Sequence, residues 1–158
     1  TITNFWNNSF RQFPSLLITN YWIDSDGEIL NNSNLNFNIS NSIISGNENI
    51  EFLVEQYDDT NLNFKFKNCM IKFNDFNDIF TGQGNYNFSN LEKYENIFLN
   101  LNADFKNEYN NELFILQNSE VINLADEILA AIYPLDILNI NRENSPDLGA
   151  YQHITIDD

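Results

Sequence analysis

The sequence predicts an all-β fold, a parallel β-solenoid, on three observations: an internal repeat, period-two alternation within it, and an asparagine hinge at the same place in each copy. Leu35 to Ile44 (LNFNISNSII) returns as Leu62 to Ile71 (LNFKFKNCMI) at an ungapped offset of 27 residues. Repetition at such a period signals stacked units that share one core. A third copy precedes them: Leu16, Ile18, Asn20 and Ile23 align on Phe37, Ile39, Asn41 and Ile44 at an offset of 21. A leucine-rich repeat would need more framework than Leu35 and Leu62 supply.

Within the single domain 1–158, residues 1–75 read as regular coils. The opening TITNFW resembles LITNYW at 17–22, so the start reads as the cut end of a longer solenoid whose earlier coils, and any leader with them, lie upstream. Alternation puts Phe37 and Ile39, like Phe64 and Phe66, on one face, with Asn38, Ser40, Lys65 and Lys67 on the other. Asn20, Asn41 and Asn68 are each expected to turn the chain, because asparagine tolerates the left-handed backbone region. Stacked coils would then align these asparagines in a hydrogen-bonded ladder. Beyond the hinge, Ser42 and Ile44 match Cys69 and Ile71 as the next inward pair. Residues 76–123 read as less regular coils and loops, with Gly82 and Gly84 in a loop and strands within 91–116 parted by a polar turn at 106–111. Residues 124–158 read as an irregular C-terminal cap holding one short helix over Leu124 to Ile132, which Pro134 stops.

Composition fits an extracellular all-β chain. The 158 residues are 42% hydrophobic and 15% aromatic, enough for a core. Asparagine occurs 31 times, suiting a chain of many turns. A net charge of −16 repels phosphate backbones and anionic membranes, which sets nucleic acid aside and suits cations or neutral sugars. The lone Cys69 reads as a small core residue. No apolar run is long enough to cross a bilayer.

The closing run Pro134 to Tyr151 (PLDILNINRENSPDLGAY) resembles the C-terminal signature of bacterial right-handed parallel β-helix proteins of the pectate-lyase-like superfamily, many described as choice-of-anchor Q domain proteins. Its elements are Asp136, Arg142 and the run Asp147 to Tyr151; upstream, Asp104-Phe105 and LFILQNSEVINLAD are similar to that family's preceding segment. Glu120, Asn123, Leu124-Ala125, Asn139 and Gln152 depart from the pattern at turn and capping positions. The resemblance covers about residues 35–152. It implies a right-handed parallel β-helix ending in its last coils, and a secreted or bacterial cell-surface location. In physical terms Gly149 suits a positive φ or a close backbone approach, Tyr151 offers a ring to close the core, and Arg142 is placed to hold Asp136 or Asp147 or to cap free carbonyls.

Two function classes follow. The first is a non-catalytic scaffold that binds a polysaccharide along its side, with Trp22, Tyr57 and Tyr86 as stacking rings and Asp58 and Asp59 as polar partners. The second is a fragment of a polysaccharide lyase or glycoside hydrolase whose catalytic coils lie mostly upstream, with Lys65, Lys67 and Lys72 and the carboxylate pairs Asp58-Asp59 and Asp75 with Asp78 as residues of the right type. No catalytic set is assigned. Asp24, Asp26 and Glu28 (DSDGE) resemble the start of a calcium loop but lack its far end, so a plain turn competes with calcium there and no other cofactor is implied. An open solenoid end is expected to self-associate.

Overall fold

The offset of 27 residues is realised as strand pairing. The computed structural model describes residues 1–6, 8–57 and 60–153. Its strands are β1 (Ile2–Asn4), β2 (Leu16–Thr19), β3 (Tyr21–Ile23), β4 (Ile29–Asn32), β5 (Leu35–Gly46), β6 (Phe52–Glu55), β7 (Leu62–Ile71), β8 (Tyr94–Leu99), β9 (Phe105–Asn107) and β10 (Glu112–Ile115), followed by one helix, α1 (Glu127–Ile132). The fold is mostly strand and its main sheet is parallel, in the order β1-β5-β7-β8. Leu35 pairs with Leu62, Phe37 with Phe64, Ile39 with Phe66 and Ile44 with Ile71, as the sequence match requires. β2 and β6 form a second parallel pair, while β3-β4 and β9-β10 are antiparallel hairpins.

Asn41 and Asn68 interrupt the ladder with φ of 50° and 48°, and Asn96, next in the column, has φ of 53°. The break reverses which side chains face inward. Before it, Phe37 stacks on Phe64 at 5.5 Å and Phe66 on Tyr94 at 5.9 Å. After it, Ile44, Cys69 and Ile71 enter the same core, joined by Phe52, Val54, Leu16 and Ile18 from the second sheet. Ile43 and Met70 then point the other way. There they are buried in a second core with Ala103, Ile115, Val121, Ala125 and Leu148, and Phe98 packs against it. Burying apolar side chains on both faces is what lets so acidic a chain hold together, since each fully buried Ile, Leu or Phe contributes about 1.5–3 kcal/mol.

The third copy is corrected. Ile18 pairs with Val54, not with a β5 residue, and Asn20 is absent from the positive-φ positions. Ile23, aligned on the buried Ile44, is half exposed in the β3-β4 hairpin. The match at 16–23 reflects the same alternation used in another sheet. Asn20 earns its burial differently: its Oδ1 accepts from the Tyr57 N–H at 2.8 Å and its Nδ2 donates to Thr60 Oγ1 at 2.6 Å. The asparagine ladder is partial. Asn96 Nδ2 donates to Asn68 Oδ1 at 3.3 Å, whereas Asn41 turns to the segment before α1, accepting from Asp126 N–H at 2.7 Å and donating to its carbonyl at 3.2 Å. Asn68 Nδ2 likewise donates to the Leu124 carbonyl at 2.8 Å. The expected cap segment therefore lies along the sheet's side, over the asparagine column.

The short helix forms within the expected stretch. Asp126 caps it by accepting the Leu129 N–H at 2.9 Å, and it ends at Ile132 ahead of Pro134.

Candidate functional site

The parallel strands β1, β5, β7 and β8 deliver their last residues to one edge of the sheet, and the chain leaving that edge builds a groove. One part, of about 380 Å³, is lined by Phe5, Gly46, Lys72, Asn100, Asn102, Asp104 and Glu108 among others. A second part, of about 330 Å³, shares Phe5 and Glu108 and adds Trp6 and Tyr109, so the two run together. Loops held by a rigid sheet are where binding residues concentrate.

Each wall has a local cause. Lys72 follows β7; its N–H continues the ladder to the Ile44 carbonyl at 2.9 Å, and its ammonium donates to the Gly46 carbonyl at 2.6 Å. Asn100 ends β8 in the left-handed region, where its amide grips Phe73 from both sides, accepting from N–H at 2.7 Å and donating to C=O at 3.2 Å. Asp104, at φ 46°, donates its N–H to Asn102 Oδ1 at 3.0 Å. Glu108 and Tyr109 sit in the 3-10 turn Glu108–Asn110 that joins β9 to β10, closed by Asn111 at φ 59°. Phe5 forms the floor, edge-on to Phe105 at 6.0 Å and to Tyr109 at 6.1 Å. Trp6 and Tyr109 form the rim, 50% and 56% exposed. The Asp104 and Glu108 carboxylates have no hydrogen-bond or ion-pair partner among the described residues.

Several carboxylates elsewhere accept backbone N–H groups. Asp24 Oδ1 accepts from the N–H groups of Asp26 and Glu28, both at 2.9 Å, closing the β3-β4 hairpin around Gly27 at φ 85°. That is a turn, and no group of three or more His, Cys, Asp or Glu gathers to hold a metal among the described residues. Asp75 accepts from Ile79 and Phe80 N–H. Glu51 is fully buried, accepting from Glu48 N–H and from Ser15 N–H and Oγ while pairing with the Arg11 guanidinium, which also reaches the Asn4 carbonyl.

The C-terminal cluster likewise engages its polar groups within the chain. Buried Asp136 accepts from Leu138, Ile140 and Gln152 N–H at 2.7–2.8 Å. Buried Asp147 accepts from Asn123 N–H at 2.8 Å and from both N–H and Nδ1 of His153. Arg142 caps the carbonyls of Asp147 and Gly149, and burial pulls its pKa down despite the nearby Asp136 and Asp147. Gly149 has φ 90° and lies so close to Thr1 and Ile43 that a Cβ would meet them at 2.5 and 2.8 Å. Leu148, not Tyr151, closes the core; the Tyr151 ring rests half-buried on Phe114 at 4.7 Å. At Asn139 and Asn123, two of the departing positions, φ is 65° and 59°, a conformation asparagine supports.

The rings expected on the sides separate. Trp22 is 70% exposed on the β3-β4 hairpin beside a cavity of about 210 Å³ that Tyr57 does not line. Tyr57 is exposed and tilts against Tyr21 at 6.0 Å. Tyr86 is corrected from a side-facing ring to one packed, partly buried, against the core: it stacks on Phe73 at 5.4 Å, bonds the Val54 backbone, and its pKa rises through burial. Asp58 and Asp59 lie outside the described residues. Lys65 and Lys67 face outward and pair with Glu95, Lys67 also with Asp126. The groove draws its residues from four strand ends, and of them only Lys72 stood among the sequence candidates.

No family model matches the chain, and no curated protein or solved structure matches it.

Proposed function

We propose that the chain is part of a right-handed parallel β-helix of the pectate-lyase-like kind, serving as a secreted or cell-surface scaffold that binds a glycan without cleaving it. The one observation that carries the binding reading is the groove at the ends of the parallel strands, with exposed aromatic rings on its rim and amides and carboxylates on its walls. Sugar rings are bound by that combination, because their C–H faces stack on aromatics while their hydroxyls exchange hydrogen bonds with polar groups. The helix reading is supported by three parallel segments stacked at near-constant offset, β5, β7 and β8, with β6 between the first two pairing in a second parallel sheet with β2; parallel connections of this kind are almost always right-handed.

The second reading, a lyase or hydrolase fragment, is favoured by one feature: Lys72, Asp104 and Glu108 share the groove. Against it, the Lys72 ammonium is engaged by the Gly46 carbonyl. The test is retardation of the protein in gels containing single polysaccharides, neutral, amino and uronate, with each polymer then assayed for new reducing ends or unsaturated products. Retardation without products is expected. Products that vanish on Lys72→Met would establish the enzyme reading, and no retardation by any polymer would sink the binding one.

A further inference from the structure

The groove's chemistry narrows its ligand, on the footing of the glycan-binding reading above: we propose that it takes an amino-sugar chain in the deacetylated, cationic form. The rim carries the argument first. Trp6 and Tyr109 expose half their surface at the mouth of a groove floored by Phe5, and aromatic faces both stack on sugar rings and attract a cation through the ring quadrupole. The walls add charge selection. Asp104 and Glu108 line the same 380 Å³ space and have no partner among the described residues, whereas Asp24, Asp75, Asp136 and Asp147 accept backbone N–H groups.

Lys72 lines the same space and keeps its positive charge, but its ammonium is held on the Gly46 carbonyl and forms no ion pair with either carboxylate among the described residues, so one cation stands against two anions. A uronate would meet two like charges there; a protonated amino sugar would meet two acceptors. Calcium takes roughly six to eight oxygens, so two carboxylates suit an ammonium better than a divalent ion. The net charge of −16 acts in the same direction, drawing a polycation in and turning a polyuronate away.

The experiment is calorimetric titration of the protein with hexamers of glucosamine, N-acetylglucosamine, glucose and galacturonate at pH 5.5, and with a linear polyamine of matching charge. The glucosamine hexamer is expected to bind at least about fivefold more tightly than its N-acetylated form. Tyr109→Ala should weaken it roughly 2- to 10-fold through lost stacking, and Glu108→Gln about 2- to 5-fold through the lost charge. Trp22→Ala, on the distant hairpin, should leave it unchanged. Equal or tighter binding of the neutral or uronate hexamers would overturn this inference while leaving the glycan-binding reading in place. So would a polyamine that binds as well and ignores Tyr109→Ala, since that is attraction by net charge alone. Silence toward every hexamer would overturn both.

Discussion

At Cys69 the side chain is placed by the repeat and its chemistry by burial. It occupies the inward slot that Ser42 fills one strand earlier, its thiol beside the Lys67 carbonyl at 3.4 Å, and burial pushes its pKa up to about 11. The reactive species is the thiolate, so the native protein should resist a thiol reagent at pH 8 and be labelled only as fast as it unfolds. Rapid labelling without denaturant would contradict this placement. Gly149 is the complementary case, where the constraint is space and backbone together. Gly149→Ala must hold an alanine at φ 90° and press its methyl on Ile43, at a cost of about 1–3 kcal/mol read as a lower urea midpoint. Among the described residues the positive-φ non-glycine positions are all Asn or Asp. Part of the asparagine abundance is therefore a conformational requirement, and Asn41, Asn68 and Gly149 could be read from residue type alone. Asn20 could not, because its burial depends on Tyr57 and Thr60 in a distant loop.

Between elements, the contact most open to titration joins β7, β8 and the start of α1. Lys67 holds Asp126 below its ordinary value of 3.8, Lys65 and Lys67 hold Glu95 below 4.5, and these partners raise Lys67 above 10.5, Asp126 the more strongly. A depressed carboxyl stabilises the fold above its unfolded pKa and loses that contribution as pH falls through the folded value. A raised lysine stabilises it below its unfolded pKa and loses that as pH climbs past the folded one. Unfolding midpoints of wild type and Lys67→Met should therefore differ most across the neutral range. They should converge below pH 3.8 and again above pH 10.5; a difference constant from pH 3 to 11 would mean the ammonium contributes packing alone. The parallel pairing of β5 with β7 was legible because ten ungapped residues fixed both register and facing. The pairing of β2 with β6 was not, since the alternation of Leu16 and Ile18 fits any sheet with one buried face. Alternation beside the inward Ser42 and Ile44 sets Ile43 and Met70 on the opposite face, and it takes the returning chain, with Val121, Ala125 and Leu148, to cover them.

On the scale of the molecule, the groove escaped the sequence for the same reason: Phe5, Lys72, Asp104 and Glu108 lie far apart along the chain and meet only where the strands end together. The open edges, by contrast, follow from the strand order. Among the described residues β8 is an outer strand of the main sheet and β1 pairs only with Ile44 to Gly46, so Leu35 to Ser40 has a strand partner on one side only. Unpaired edges at the two ends of a parallel stack complement each other head to tail, a contact that does not close on itself. What opposes it is charge, since each copy carries −16. Self-repulsion of that kind reaches about 10 Å at 0.1 M salt and about 3 Å at 1 M. Association by edge pairing should therefore grow with added salt, the reverse of association through ion pairs. Light scattering across protein concentration is expected to give a near-monomeric mass at low ionic strength and a rising mass at 0.5–1 M sodium chloride. A mass that stays monomeric throughout, or that falls as salt is added, would remove edge pairing from the account.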